Sequence, residues 1–487
     1  MKTDHRDLLI GGQEVPAASG RTADDLDPST GEVCATVAAG RAEDVARAAA
    51  AADAAFPAWA ATAPATRRRI FLKAADVLES RAEEAAALMA REAGGTRPWA
   101  LFNVQLAAGM LREAAAAVTA PRGEVLTSQD EGTLSLAVRE PVGVVGAFAP
   151  WNAPVILGTR AVAAPLAAGN TVVVKPSEDA PLACGYFVAD VLREAGLPDG
   201  VLNVVSNARE DAAEVAEALV AHPAVRAVNF TGSTGVGRRI GNLAAQHLKP
   251  AVLELGGKNS VVVLEDADVD YAVDAATFAV FMNAGQICMS GDRILVHASL
   301  AEEFTEKFTA KVASLPHGAP TDPGTVIGPL VSSASAGRLA ALVRDAVEKG
   351  AKVLAGGGEP SGAVHPATVL TGVTPEMELY QGEAFGPVCA LSTFADDDEA
   401  VELANATEHG LTCGIITENA THGLGVARRI RTGIVHVNDQ SVADEPQAPF
   451  GGIGASGYGR FGGRWGIEAF SNTRWVTLAG NHAHYPF

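Results

Sequence analysis

Val225-Arg-Ala-Val-Asn-Phe230 is followed at once by Thr231-Gly-Ser-Thr-Gly-Val-Gly237. A short apolar run that meets a Gly-rich turn, and then helical spacing over residues 235–248, reads as strand, turn and helix. The first turn of such a helix offers unpaired N–H groups and a positive dipole end, which suit a pyrophosphate. Ser233 adds a hydroxyl there. A plain βα turn with an N-cap reads equally well from these residues alone.

The pattern repeats outward from this point. Upstream, residues 142–148 form an apolar run ending at Pro150, readable as a buried strand. Residues 154–168 read as a helix closed by Gly169-Asn170. Residues 171–175 are β-branched and read as a strand, 182–195 as a helix closed by Gly196, 201–205 as a strand and 212–221 as a helix. Alternation of this kind implies parallel βαβ units with right-handed crossovers. Such sheets bind ligands at the carboxyl ends of their strands. Past residue 253 the alternation resumes, with strands expected at 260–264, 294–296 and 352–354, and helices at 269–284, 300–312 and 334–349. That is a second α/β domain. Nearer the N-terminus, an Ala-rich helix is expected over 41–56, stopped near Pro57, and helical periodicity continues over 65–92. Residues 133–139 and 473–478 alternate apolar and polar. Each predicts an exposed strand that pairs outside both domains, or with another subunit.

Bulk properties bound the function. The 487 residues are 48% hydrophobic and 19% charged, so a sizeable core can form. A net charge of -20 argues against nucleic acid or an anionic membrane as the main partner. The five cysteines, Cys34, Cys184, Cys288, Cys389 and Cys413, are sparse and show no CxxC pairing. A disulfide framework or a metal site is not expected, and a cytoplasmic location fits. The opening residues lack an apolar signal segment, and no run approaches a membrane span.

Two literal GxGxxG matches, Gly452–Gly457 and Gly457–Gly462, follow no convincing strand, and they read as a Gly-rich loop. Lys175-Pro-Ser-Glu178 stands at a predicted strand end, where Lys175 can reach an anionic or hydroxylated ligand and Glu178 can accept from a ribose. It also reads as a surface turn. Cys288 lies in Asn283-Ala-Gly-Gln-Ile-Cys-Met-Ser290. A thiolate there is a nucleophile if the local field lowers its pKa, and otherwise a packed small hydrophobe. Glu254, in Val252-Leu-Glu-Leu-Gly-Gly-Lys258, sits at an apolar strand end. Burial would raise its pKa toward that of a neutral-pH general base, unless it pairs with Lys258 or a distant arginine. Asn152, in Pro150-Trp-Asn-Ala-Pro154, is a donor for an oxyanion or a turn-forming Asn.

Taken in order, PWNAP, KPSE, FTGSTGVG, LELGGK, GQIC, EAFGP and PFGG resemble the aldehyde dehydrogenase superfamily from near the N-terminus to the end. The resemblance implies a Rossmann-like NAD(P) domain (1–118 and 140–253), an α/β catalytic domain (254–435) and a small β oligomerisation element (119–139 and 470–487). Residues 436–469 form a loop region near the active site. A homodimer or homotetramer is implied. Catalysis falls to Cys288 as nucleophile, Glu254 as base and Asn152 as oxyanion donor. Cofactor contacts fall to Trp151, Lys175, Ser177, Glu178, Gly232, Ser233, Gly237, Glu383 and Phe385. Glu178 would repel a 2′-phosphate, so NAD is expected over NADP. Glu254 speaks against a CoA-acylating relative, which typically lacks that base. A silent binding protein would tolerate loss of Cys288, and a thiol hydrolase would turn over esters without a redox step.

Three segments, residues 97–104, 151–160 and 437–446 with 457–463, resemble the salicylaldehyde, vanillin and benzaldehyde dehydrogenase group. Ala153 and Gly382 depart from the commoner residues of the superfamily. Trp99, Phe102 and Phe450 are expected to line a pocket for a flat ring, with Arg160 on a ring hydroxyl or ring face. The same residues read equally as helix packing and a structural charge. Within the superfamily, the competing expectation is an aliphatic or semialdehyde dehydrogenase.

Overall fold

The structure is a computed structural model that describes residues 4–482 and 484–487. Its larger sheet has eight strands. Their order is Gly457–Tyr458, Ala251–Leu255, Val225–Gly232, Val144–Ala149, Thr171–Pro176, Leu202–Val204, Leu8–Ile10 and Gln13–Val15. The five central strands are parallel, and the outer ones are antiparallel. Every residue of Val144–Ala149 and of Thr171–Pro176 is buried, as a parallel strand covered on both faces requires. The chain runs from Val144–Ala149 outward to one side, then returns and builds outward on the other side from Val225–Gly232. The order therefore reverses between these two strands. Their carboxyl ends carry Trp151-Asn152 and Ser233 into the crevice where such sheets bind ligands.

A second sheet has seven strands, all parallel except the edge strand Lys352–Ala355. Its central strand Arg293–His297 lies beside Ser260–Val263, which pairs on its other side with Thr412–Ile416. A separate three-stranded sheet pairs Ser471–Ala479, Thr133–Pro141 and Gly123–Leu126. The fold is mixed α/β, with two parallel-sheet units and a small antiparallel one.

The helix Pro154–Ala168 falls on the predicted span, and Gly169 closes it in the left-handed region. Three other expectations need correction. The first helix runs through Pro57 to Ala60, because the buried Trp59 anchors its last turn and donates its indole N–H to the Leu166 carbonyl at 3.1 Å. The periodicity over 65–92 is split at Arg81 into Pro64–Ser80 and Ala82–Ala93. The span 182–195 begins as a five-residue π-turn, Leu182–Tyr186, before the α-helix Phe187–Glu194. The two alternating strands pair with each other in nine-residue antiparallel register. Among the described residues no helix is long and apolar enough to cross a membrane.

Candidate active site

Glu254 is the fourth residue of the strand Ala251–Leu255, flanked in register by Thr231 on one side and Gly457 on the other. The Gly-rich C-terminal segment is therefore an edge strand against the Glu254 strand, rather than a nucleotide loop. Glu254 is 1% exposed, and its Oε1 has no hydrogen-bond partner. Burial pushes its pKa up to about 7, opposed by the Arg160 charge and the Cys288 thiol. Lys258 does not neutralise it. That ammonium pairs with Asp292 at 3.2 Å and donates to the Gly382 carbonyl at 2.8 Å.

Cys288 comes from the loop after the helix Val269–Phe281. Three successive residues, Asn283, Ala284 and Gly285, have positive φ of 51°, 51° and 71°. For the two non-glycine residues this conformation costs about 1–2 kcal/mol each. Polar contacts hold the loop in place. Asn283 Nδ2 donates to the Asn152 carbonyl at 3.0 Å, and the Asn259 amide donates to the carbonyls of Cys288 (2.7 Å) and Ser290 (3.0 Å). Burial and the neighbouring Glu254 carboxylate push the Cys288 thiol well above its ordinary value, with Arg160 opposing. Asn152 Nδ2 donates to the Gln286 carbonyl at 3.0 Å, tying the oxyanion candidate to the cysteine loop.

Cys288, Glu254 and Asn152 line one cavity of about 400 Å³. Trp151, Gly232, Ser233, Glu383 and Phe385 line it too. Leu157, Thr231, Gly256, Ser335 and Arg338 complete much of the wall, and sequence reasoning missed them. Arg338 donates to the Ala384 carbonyl from a helix far along the chain, so no local pattern marks it. Phe385 has φ 48° and meets Trp151 edge to face at 5.5 Å. Glu383 accepts from the Gly257 N–H at 3.0 Å. Burial, together with Asp292, pushes its pKa up to about 8.

Ser233 caps the helix Thr234–Gln246 with extended backbone, and its side chain makes no cap bond. The hydroxyl and the first helical N–H groups are thus free of a side-chain cap, as an incoming phosphate needs. Gly237 lets that helix close on the sheet, since a Cβ there would lie 2.2 Å from the Leu255 side chain. Lys175, Ser177 and Glu178 stand beyond this cavity, at the end of Thr171–Pro176. Glu178 is bonded to Lys175 and accepts from Asn207 at 2.8 Å. Burial alone would raise its pKa, but these partners hold it below the ordinary carboxylate value. Together these residues offer the carboxylate acceptors and the uncapped helix N-terminus that a dinucleotide would take.

The expected ring-pocket residues fall into two pairs, and neither lines the Cys288 cavity. Trp99 stacks on the partly exposed Phe102 at 5.5 Å, and its indole N–H donates to the Asn152 carbonyl at 3.1 Å. Arg160 lies 4.0 Å over the Phe450 ring and is paired with Asp444. The five cysteines are free thiols.

The aldehyde dehydrogenase family model matches residues 15–476. The chain belongs to the aldehyde dehydrogenase family. It is therefore an oxidoreductase enzyme of a family that uses NAD(P). It is 50% identical to a vanillin dehydrogenase of Pseudomonas fluorescens, over 98% of this chain and 99% of that one. A salicylaldehyde dehydrogenase from Pseudomonas putida G7, solved with salicylaldehyde, superposes with a TM-score of 0.96. It is 40% identical and covers 99% of this chain and 100% of its own. PnpE, solved with nicotinamide adenine dinucleotide, superposes with a TM-score of 0.95 at 37% identity, over 99% of each chain.

Proposed function

We propose that this aldehyde dehydrogenase oxidises an aromatic aldehyde to its carboxylic acid, with NAD as hydride acceptor and Cys288 as nucleophile. One observation carries the reading: nucleophile, base and amide donor open on the same cavity as Ser233, Glu383 and Phe385.

The Cys288 thiol rests protonated, and Glu254 is the base beside it. As that proton leaves to solvent, sulfur bonds to the aldehyde carbon and the carbonyl oxygen becomes an oxyanion. Asn152 Nδ2 carries two hydrogens. One is spent on the Gln286 carbonyl, which leaves the other for the oxyanion. The nicotinamide, when bound, supplies the acceptor for the hydride that leaves this carbon. A thioester then remains on Cys288. Glu254 removes a proton from water, the hydroxyl adds to the acyl carbon, and the C–S bond breaks to release the acid while Glu254 returns that proton to the Cys288 sulfur. Aldehyde, NAD+ and water thus give acid, NADH and a proton.

The aromatic reading is supported by relatives named for vanillin and salicylaldehyde. NAD preference is supported by PnpE and by Glu178, a carboxylate held ionised where a 2′-phosphate would be repelled. Residues 1–118 and 140–253 serve as the cofactor domain and 254–435 as the catalytic domain. The segment 436–469 lies near the active site. The elements 119–139 and 470–487 join subunits in a homodimer or homotetramer. In support, Ser471–Ala479 keeps Trp475 and Leu478 exposed at 73% and 66%.

The test is catalytic efficiency on salicylaldehyde, vanillin, benzaldehyde and short aliphatic aldehydes, with NAD and with NADP. Aromatic aldehydes with NAD are expected to lead by tenfold or more. Equal efficiency on aliphatic aldehydes removes the ring specificity, and equal efficiency with NADP removes the role given to Glu178.

A further inference from the structure

Residues 382–387 form a loop that brings Glu383 and Phe385 into the wall of the Cys288 cavity. Phe385 has φ 48° there, a conformation that a bulky residue keeps only where its surroundings impose it. Groups at strand ends hold three points of this loop. Lys258 Nζ donates to the Gly382 carbonyl at 2.8 Å, the Gly257 N–H donates to Glu383 at 3.0 Å, and the Ala384 N–H donates to Asp292 at 3.1 Å. A fourth tie comes from the helix Ser333–Glu348, whose Arg338 donates to the Ala384 carbonyl. The next residue of that helix, Leu339, packs so closely on Gly386 that a Cβ there would lie 2.4 Å from it.

The helix and the loop are also tied to the nucleophile. The Val331 N–H, just before the helix, donates at 2.9 Å to Gln286 Oε1 in the Cys288 loop. Gly285 of that loop meets the Gly386 carbonyl, where a Cβ would lie 2.2 Å away. The helix, the Cys288 loop and residues 382–387 thus brace one another. Within this bracing Lys258 and Asp292 are buried, whereas Arg338 is exposed and lines the cavity itself. Among the described residues, the Ala384 carbonyl is its one hydrogen-bond acceptor. That bond therefore fixes a long side chain beside Glu383 and Phe385. A hydride acceptor must reach the carbon held on Cys288, so the half of the cofactor in this cavity is the nicotinamide half.

We propose that Arg338 is a positioning residue: by holding the Ala384 carbonyl, it sets Glu383 and Phe385 in place for the nicotinamide half of the dinucleotide. This rests on the cofactor roles given above to Glu383 and Phe385. The test is binding to the full-length enzyme, read by calorimetric titration with NAD and with ADP, which keeps adenosine and pyrophosphate but lacks the nicotinamide half. Arg338→Met should raise the Kd for NAD about tenfold, the loss of one hydrogen bond from a charged donor, and leave the Kd for ADP unchanged. Arg338→Gln, too short to span the same gap, should act alike. Because Arg338 is exposed, thermal melts should show both variants folded with little change in Tm. In a Glu383→Gln background, Arg338→Met should weaken NAD by less than about twofold more, since both changes remove the same contact. A Kd for NAD within about twofold of wild type, or losses that add to those of Glu383→Gln, overturn the proposal. So does a Kd for ADP that rises as much as that for NAD, which would make Arg338 a direct contact of the pyrophosphate. Wild-type NAD affinity in Glu383→Gln alone would instead overturn the reading beneath it.

Discussion

Gly256 lies so close to the Glu383 carboxylate that a Cβ on it would stand 2.1 Å from Oε2. The residue after the Glu254 strand therefore sets the position of a neighbouring carboxylate in the cavity wall. Gly256→Ala must push Glu383 aside, and Glu383 is one of the proposed cofactor contacts. The Kd for NAD should rise roughly tenfold, equivalent to about 1.4 kcal/mol, while Cys288 alkylation is little changed. Fluorescence titration with NAD measures it, and an unchanged Kd would remove Glu383 from the cofactor site.

Much of this arrangement is legible in the sequence where it depends on local pattern. The helix Pro154–Ala168 is bounded by Pro154 at its start and Gly169 after its end, and both carry their own stop signals. The alternation of strands and helices similarly announces both parallel sheets. Pairs distant in the chain leave no such trace. Lys258–Asp292 joins residues on either side of a helix, and Arg160–Asp444 spans 284 positions. Trp99 reads in sequence as part of a ring pocket, whereas its N–H holds the Asn152 backbone. Pro57 reads as a helix stop, but burial of Trp59 outweighs one lost hydrogen bond.

The Trp99 contact separates two roles. Trp99→Phe keeps a ring but deletes the donor to the Asn152 carbonyl. If Trp99 positions the oxyanion donor, kcat/KM should fall about three- to tenfold on aromatic and aliphatic aldehydes alike, the loss of one net hydrogen bond. Steady-state kinetics on both classes checks this. A loss confined to aromatic substrates would make Trp99 a pocket wall only.

Glu254 gives activity and stability opposite pH dependences. The proposed mechanism uses its base form, so kcat limited by deacylation should rise through about pH 7. Its folded pKa lies above the unfolded carboxylate value of 4.5, so the native state binds more protons between the two. Stability should therefore fall as pH rises from about 4.5 to about 7, by up to roughly 3 kcal/mol. Glu254→Gln should lose turnover yet raise Tm at pH 8. Thermal melts at pH 5 and 8 check the sign, and a Glu254→Gln protein less stable at pH 8 would contradict it.

Lys258 and Asp292 are 1% and 4% exposed, and Asp292 also accepts from the Ala384 N–H at 3.1 Å. Lys258→Met strands the Asp292 charge and releases the Gly382 carbonyl from its donor. Destabilisation of about 3–5 kcal/mol is expected from breaking a buried pair on one side. Denaturant unfolding measures it. A loss under 1 kcal/mol would show that water replaces the ammonium.

A thioester at Cys288 is the central intermediate of the proposed mechanism, and trapping it is the most direct test. Glu254→Gln protein mixed with NAD and an aromatic aldehyde should form an acyl adduct, read by mass spectrometry after acid quench. The adduct should map to the peptide bearing Cys288, and NADH should appear in at most stoichiometric amount before turnover stalls. Stoichiometric NADH with no adduct on Cys288, or an adduct on another cysteine, would contradict the mechanism.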